Sequence, residues 1–188
     1  MVWILPTTLE VEGVEYGINS DFRPCLSAMQ AMDDILIPDI EGYYFAMNII
    51  FGEGNLARIK NHTQALSQMA WFLNCGREST SRDSVDFFAP PMIDWEQDGW
   101  LIFSGIAQTI GRDIRMDDYC HFWSFMAYFQ GMGECTFTIV RSIRYKLAKR
   151  VKLENWEQEF YRKNRDIVDV KKDAQAREDL FNQVFGLA

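Results

Sequence analysis

Near the N-terminus, apolar Leu9, Val11, Val14, Tyr16 and Ile18 alternate with Glu10, Glu12, Glu15 and Gly17. This period of two predicts a short β-hairpin with one apolar face, with Glu12-Gly13 between its two runs. Glycine at the turn permits the positive φ that tight hairpin turns require. A lone hairpin is not stable in water, so its apolar face must pack on another element.

The period then changes to 3.6. Asn19-Ser20-Asp21 supplies an N-cap, Pro24 sits in the first turn, and Phe22, Cys25, Leu26, Met29 and Met32 lie on one side of a helix running to about Asp34. Pro38 stops it, a second helix is predicted over about Gly42 to Phe51, and Gly52 and Gly54 stop that one. A third is predicted over about Leu56 to Asn74, with Gly76 as its C′ residue. Residues 77–93 are rich in Ser, Thr and Pro and form the best internal boundary, a loop or a linker. Beyond it, Asp94 with Gln97 signals a helix start, Trp95, Gly99, Ile102, Phe103, Ile106 and Ile110 form a stripe, and Gly111 ends it. Asp117 or Asp118 caps the next helix, to about Gln130, which is apolar on several sides and so belongs at a buried centre. Further helices are predicted over about Glu134 to Arg150, around Leu153, Trp156, Phe160 and Ile167, and around Ala176, Leu180, Val184 and Leu187. The sum is a mainly α chain, an irregular helical bundle with a short N-terminal β-hairpin. Its expected regions are 1–76, a loop at 77–93, and an aromatic-rich helical region at 94–188.

Composition adds two features. The 188 residues hold 14 Phe, 7 Tyr and 6 Trp, and the formal charge is −8. That charge is uneven: Arg141 to Lys172 has 11 basic and 5 acidic residues, and the rest of the chain has 8 and 22. The basic segment reads as a solvated helix face, or as a docking surface for an acidic partner such as another copy of the chain. Acidity overall argues against a general nucleic-acid binder, although Arg141, Arg144, Lys146, Lys149, Arg150 and Lys152 would be the residues to use. Neither a signal peptide nor a membrane-length apolar run is visible, which points to a cytosolic protein.

Candidate chemistry is sparse. A zinc site from Cys120, His121 and Cys135 lacks a fourth ligand, and free buried thiols are the default for the four cysteines, which show no CxxC spacing. Asp94, Glu96 and Asp98 cluster, as do Asp117 and Asp118. A metal-dependent hydrolase would use Asp94, Asp98 and His121, but capping of helix starts accounts for both clusters. Phe51 to Leu56 holds a GxG without the rest of a phosphate-binding loop. Cofactors are therefore not expected. Trp100 lies off the apolar stripe of its helix and is a candidate exposed anchor for a protein partner.

Two stretches resemble a known family. One runs from Tyr16 to Arg23, including Asp21, Phe22 and Arg23. The other combines Asp94-Trp95-Glu96-Gln97-Asp98, the run Asp118 to Phe125 with His121, Trp123 and Phe125, then Ile143-Arg144 and Phe160 to Asn164. Together they resemble the tail assembly chaperones of long-tailed bacteriophages, encoded between the major tail protein and the tape measure; Phe122 stands where a second Trp is common. The resemblance implies a non-enzymatic protein of the host cytoplasm, absent from the mature virion. It would keep the tape-measure protein soluble until tail-tube subunits displace it. Implied partners are the tape-measure protein, further copies of the chain and the major tail protein. Arg141, Arg144, Lys149 and Arg150 join Trp100 as candidate interaction residues.

Overall fold

A computed structural model describes residues 4–33, 39–77 and 92–170. They form a mainly α protein with one N-terminal hairpin, as the periodicities predict. The chain divides into two compact units, residues 1–83 with 117–127, and residues 84–116 with 128–188.

In the first unit, β1 (Thr8–Val11) and β2 (Val14–Gly17) pair antiparallel in the register Val11 to Val14, leaving a two-residue turn. Glu12 and Gly13 both have positive φ, 53° and 78°, which closes the hairpin with the right twist. Leu9 and Val11 are fully buried, whereas Val14 on the second strand is exposed. The expected apolar face is therefore buried mainly along β1, which packs on α4 (His62–Leu73).

Helix α1 (Phe22–Asp33) leads into α2 (Asp39–Phe51). The Asn19 N–H donates to the Ile50 carbonyl (2.8 Å), placing the end of α2 beside the start of α1, so the two run antiparallel. They meet closely at Gly42, where a Cβ would lie 2.5 Å from the Ala31 carbonyl oxygen. The helix predicted over 56–74 begins only at His62, where Asn61 caps α4 by accepting the Gln64 N–H (3.0 Å), and a separate short helix, α3 (Glu53–Leu56), runs through Gly54, an expected stop. Helix α4 ends with Cys75 at C′ and Gly76 at C″, both at positive φ. Cys75 N–H bonds to Phe72 O and Gly76 N–H to Trp71 O, the Schellman pattern.

In the second unit, α5 (Gly99–Ile110) buries Leu101, Ile102, Gly105 and Ile106, and Gly111 closes it at φ 76°. Asp94 does accept the N–H groups of Glu96 and Gln97, but it caps a preceding turn. The helix proper begins four residues after that expected start, and Asp98 Oδ2, not Gln97, accepts the Asp94 N–H (2.9 Å). A 3₁₀ turn (Ile114–Met116), the end of α6 (Phe122–Gln130), α7 (Thr136–Ala148), α8 (Asn155–Lys163) and α9 (Arg165–Val168) follow. Asn164 splits the predicted helix at 153–167 into α8 and α9. Phe122, Phe125 and Phe129 of α6 are buried, as an element apolar on several sides should be.

The units differ from the expected regions at 117–127, which pack with the N-terminal residues. Pro38, nearly all of the 77–93 loop and the helix around Ala176 to Leu187 lie outside the described residues.

Candidate functional site

Most of the family-signature residues converge in the first unit. Asp21 and His121 form an isolated antiparallel bridge across 100 positions of sequence. The Phe22 N–H donates to Cys120 O (2.9 Å) and the Phe122 N–H to Ser20 O (2.8 Å). Each bridging residue also caps the helix it precedes: Asp21 Oδ1 accepts the Arg23 N–H (3.0 Å), and His121 Nδ1 accepts the Trp123 N–H (3.0 Å). Asp21 Oδ2 takes the Cys120 N–H as well (2.9 Å). The cap of α6 is thus His121 and not Asp117 or Asp118. A carboxylate and an imidazole satisfy the free donors of two helix starts held side by side.

Side chains extend the joint. Phe22 stacks on Phe125 with centroids 4.8 Å apart and planes 5° from parallel. Arg23 grips both Asp21 oxygens (3.1 and 3.0 Å), donates to Asp117 O (2.7 Å) and lies over the Phe22 ring. The Trp123 indole donates to Phe72 O (2.8 Å), tying α6 to the end of α4. His121 Nε2–H donates to Pro6 O (2.9 Å), so the neutral ring uses both nitrogens; burial pushes its pKa below the ordinary value, partly offset by the Pro6 carbonyl. The nearby thiol of Cys25 is raised far above the ordinary range, first by burial and then by Asp21. These groups join the starts of α1 and α6 and the end of α4 in one hydrogen-bonded and stacked cluster.

Asp94 belongs to the other unit, beside the second internal constraint. Arg144 there is 3% exposed and Asp98 0%. They pair bidentately, Nη1 to Oδ2 at 2.6 Å and Nη2 to Oδ1 at 2.8 Å. Arg144 also donates to the carbonyls of Val168 (2.7 Å), Ile167 (2.8 Å) and Met92 (3.3 Å), so all five of its N–H donors are used. Arg144 is therefore an internal strut and not an interaction residue, because its guanidinium is closed off from partners. Lys146 likewise bonds Glu157 (2.6 Å), and this ion pair holds the Glu157 carboxyl below the usual carboxylate range. Arg141, Lys149, Arg150 and Lys152 are exposed, and Trp100 is 60% exposed.

Of the hydrolase candidates, Asp98 is paired with Arg144, Asp94 caps a turn, and His121 belongs to the first unit, where it caps α6. Cys135 heads α7 in the second unit, and Cys120 and His121 belong to the first. Among the described residues no group of three or more His, Cys, Asp or Glu could hold a metal ion. No helix among them is long and apolar enough to cross a membrane.

One surface escaped sequence reasoning. The first half of α2 exposes Ile40, Tyr44 and Phe45 on one side, with Gly42, Ala46, Met47 and Ile50 buried on the other and Tyr43 partly exposed at its edge. Its signal was present: α2 is apolar on nearly every side, which means either complete burial or an unsatisfied face. In the second unit Tyr145, Val151 and Trp156 are also exposed.

A comparison with known families places this helical chain: residues 3–170 match the model of a phage protein family. The family is described as Bacteriophage Gp15 protein, and the chain belongs to it. No curated protein and no solved structure matches the chain.

Proposed function

We propose that this phage protein is a tail assembly chaperone that binds the tape-measure protein and keeps it soluble until tail-tube subunits assemble around it. It does so by binding alone, without catalysing a reaction. The family supports a phage role, and the resemblance of the Asp21–Arg23 and Asp118–Phe125 stretches supports the finer reading. The observation that carries it is the apolar face of α2, where Ile40, Tyr44 and Phe45 stay exposed on a folded unit. Apolar surface of this kind marks protein contacts, and a net charge of −8 keeps such a chain dispersed while the face is bare. On this reading the protein works in the host cytoplasm, self-associates along its client and leaves before the virion matures.

Co-expression with the tape-measure protein of the same phage tests the proposal. The expected result is a soluble complex that co-elutes on size exclusion. A tape measure that stays insoluble and never co-elutes overturns it. The nucleic-acid alternative is weakened by the ion pairs that occupy Arg144 and Lys146. A DNA or RNA shift that weakens steeply with salt would restore it.

A further inference from the structure

We propose that the outer face of α2 is a docking groove for a basic amphipathic helix of a partner protein. On the helix, Ile40 and Tyr44 stand four residues apart in one ridge, and Glu41 and Phe45 in the next. Ridges at this spacing leave a groove that takes the side-chain row of another helix. All four residues are exposed: Ile40 by 79%, Tyr44 by 49%, Phe45 by 50%, and Glu41 as well. The groove floor is fixed, because Gly42 on the opposite side sits against the Ala31 backbone. Tyr44 meets the His62 ring edge-on at 6.5 Å, which holds the phenol at the groove margin.

Charge selects the occupant. The first unit carries 13 acidic and 5 basic residues, so the whole formal charge of −8 falls on it. Glu41 stands within the apolar ridges, where it offers a carboxylate to a Lys or Arg. Tyr44 and Phe45 offer π-faces to the same cations. An acidic or neutral helix would leave Glu41 without a partner on docking. Two copies meeting through this same face would bring the two Glu41 carboxylates, and two units of charge −8, together. A client helix with an apolar stripe and flanking Lys or Arg satisfies every group. The inference rests on the chaperone reading only for which protein supplies that helix.

Three labelled 18-residue peptides test it by fluorescence anisotropy against the full chain: a Leu/Lys amphipathic helix, its Leu/Glu counterpart, and a scramble of the first. The expected result is binding of the Leu/Lys helix at least tenfold tighter than either control. Tyr44→Ser and Phe45→Ser should each weaken it about tenfold, and Glu41→Lys should shift preference to the Leu/Glu helix. Far-UV circular dichroism checks folding of each variant; Ile40→Ser replaces any that fails. Equal binding of the scramble, no binding, or variants without effect overturns the proposal. So does sedimentation velocity showing a self-associated chain that Tyr44→Ser dissociates, since the face then belongs to a second copy. The two readings fail separately. A Tyr44→Ser/Phe45→Ser chain that still co-elutes with the tape measure overturns the groove alone. A wild-type chain that binds the Leu/Lys helix but no tape measure overturns the chaperone reading alone.

Discussion

Replacing Arg144 with Met removes a side chain that uses all five of its N–H donors. Its methylene length is nearly kept, but the guanidinium is lost from a site where both partners are almost fully buried. Asp98 is left as an uncompensated carboxylate, and the carbonyls of Met92, Ile167 and Val168 lose their donors. Breaking a buried pair from one side costs about 3–5 kcal/mol. Against the roughly 5–15 kcal/mol that holds a domain folded, that is a large share. With a urea dependence of about 2 kcal/mol per M, the midpoint should fall by about 1.5–2.5 M. Arg144→Lys should fall between wild type and Met, because an ammonium has three donors and no planar fork. The double variant Arg144→Met/Asp98→Leu should lose less than the two single losses added together, since no charge is stranded. A midpoint shift below about 0.5 M for Arg144→Met, or strict additivity in the double variant, would refute the strut.

Three further outcomes follow from the first unit. Gly42→Ala drives a Cβ to 2.5 Å from the Ala31 carbonyl, so α1 and α2 must part; thermal unfolding should show a loss of about 1–3 kcal/mol, and an unchanged midpoint contradicts the close crossing. Glu12→Asn suits the turn's positive φ better and should raise stability by about 0.5–1 kcal/mol in urea titration. Acid should weaken the joint. The folded His121 titrates below its unfolded value of about 6.5, so its contribution is complete above that pH and drains as pH falls towards the folded value. Between about pH 7.5 and 5, the wild-type thermal midpoint should fall more than that of His121→Asn, which keeps an acceptor for the Trp123 N–H.

Local signals were legible and long-range ones were not. The hairpin, the Asp21 cap and the Gly111 stop depend on a few neighbouring residues, and each was found. The break at Asn61 was missed because the apolar period runs through it and only the cap geometry reveals it. Asp117 and Asp118 looked like the natural caps of α6. The acceptor is an imidazole, fixed by a bridge to a residue 100 positions away. Arg144 lies in a run of basic residues, and although its spacing from Phe137 and Val140 puts it on the buried side of α7, the residue that pairs with it there, Asp98, is 46 positions earlier. The joint's residues carried the family resemblance, yet sequence could not say that they touch. The α2 face was overlooked because an evenly apolar helix reads as core until the structure shows which side is bare.

The bridge between Asp21 and His121 also bears on the order in which the chain matures. The first unit cannot close its two helix starts until residue 121 exists, although its hairpin and first four helices are complete by residue 73. At ribosomal rates of about 5–20 residues per second, those roughly 50 intervening residues impose a wait of about 2–10 s. During it, Phe22 lacks its stacking ring and Asp21 lacks the Cys120 amide. The nascent N-terminal unit is thus itself an unfinished client, completed only when the middle of the chain returns to it.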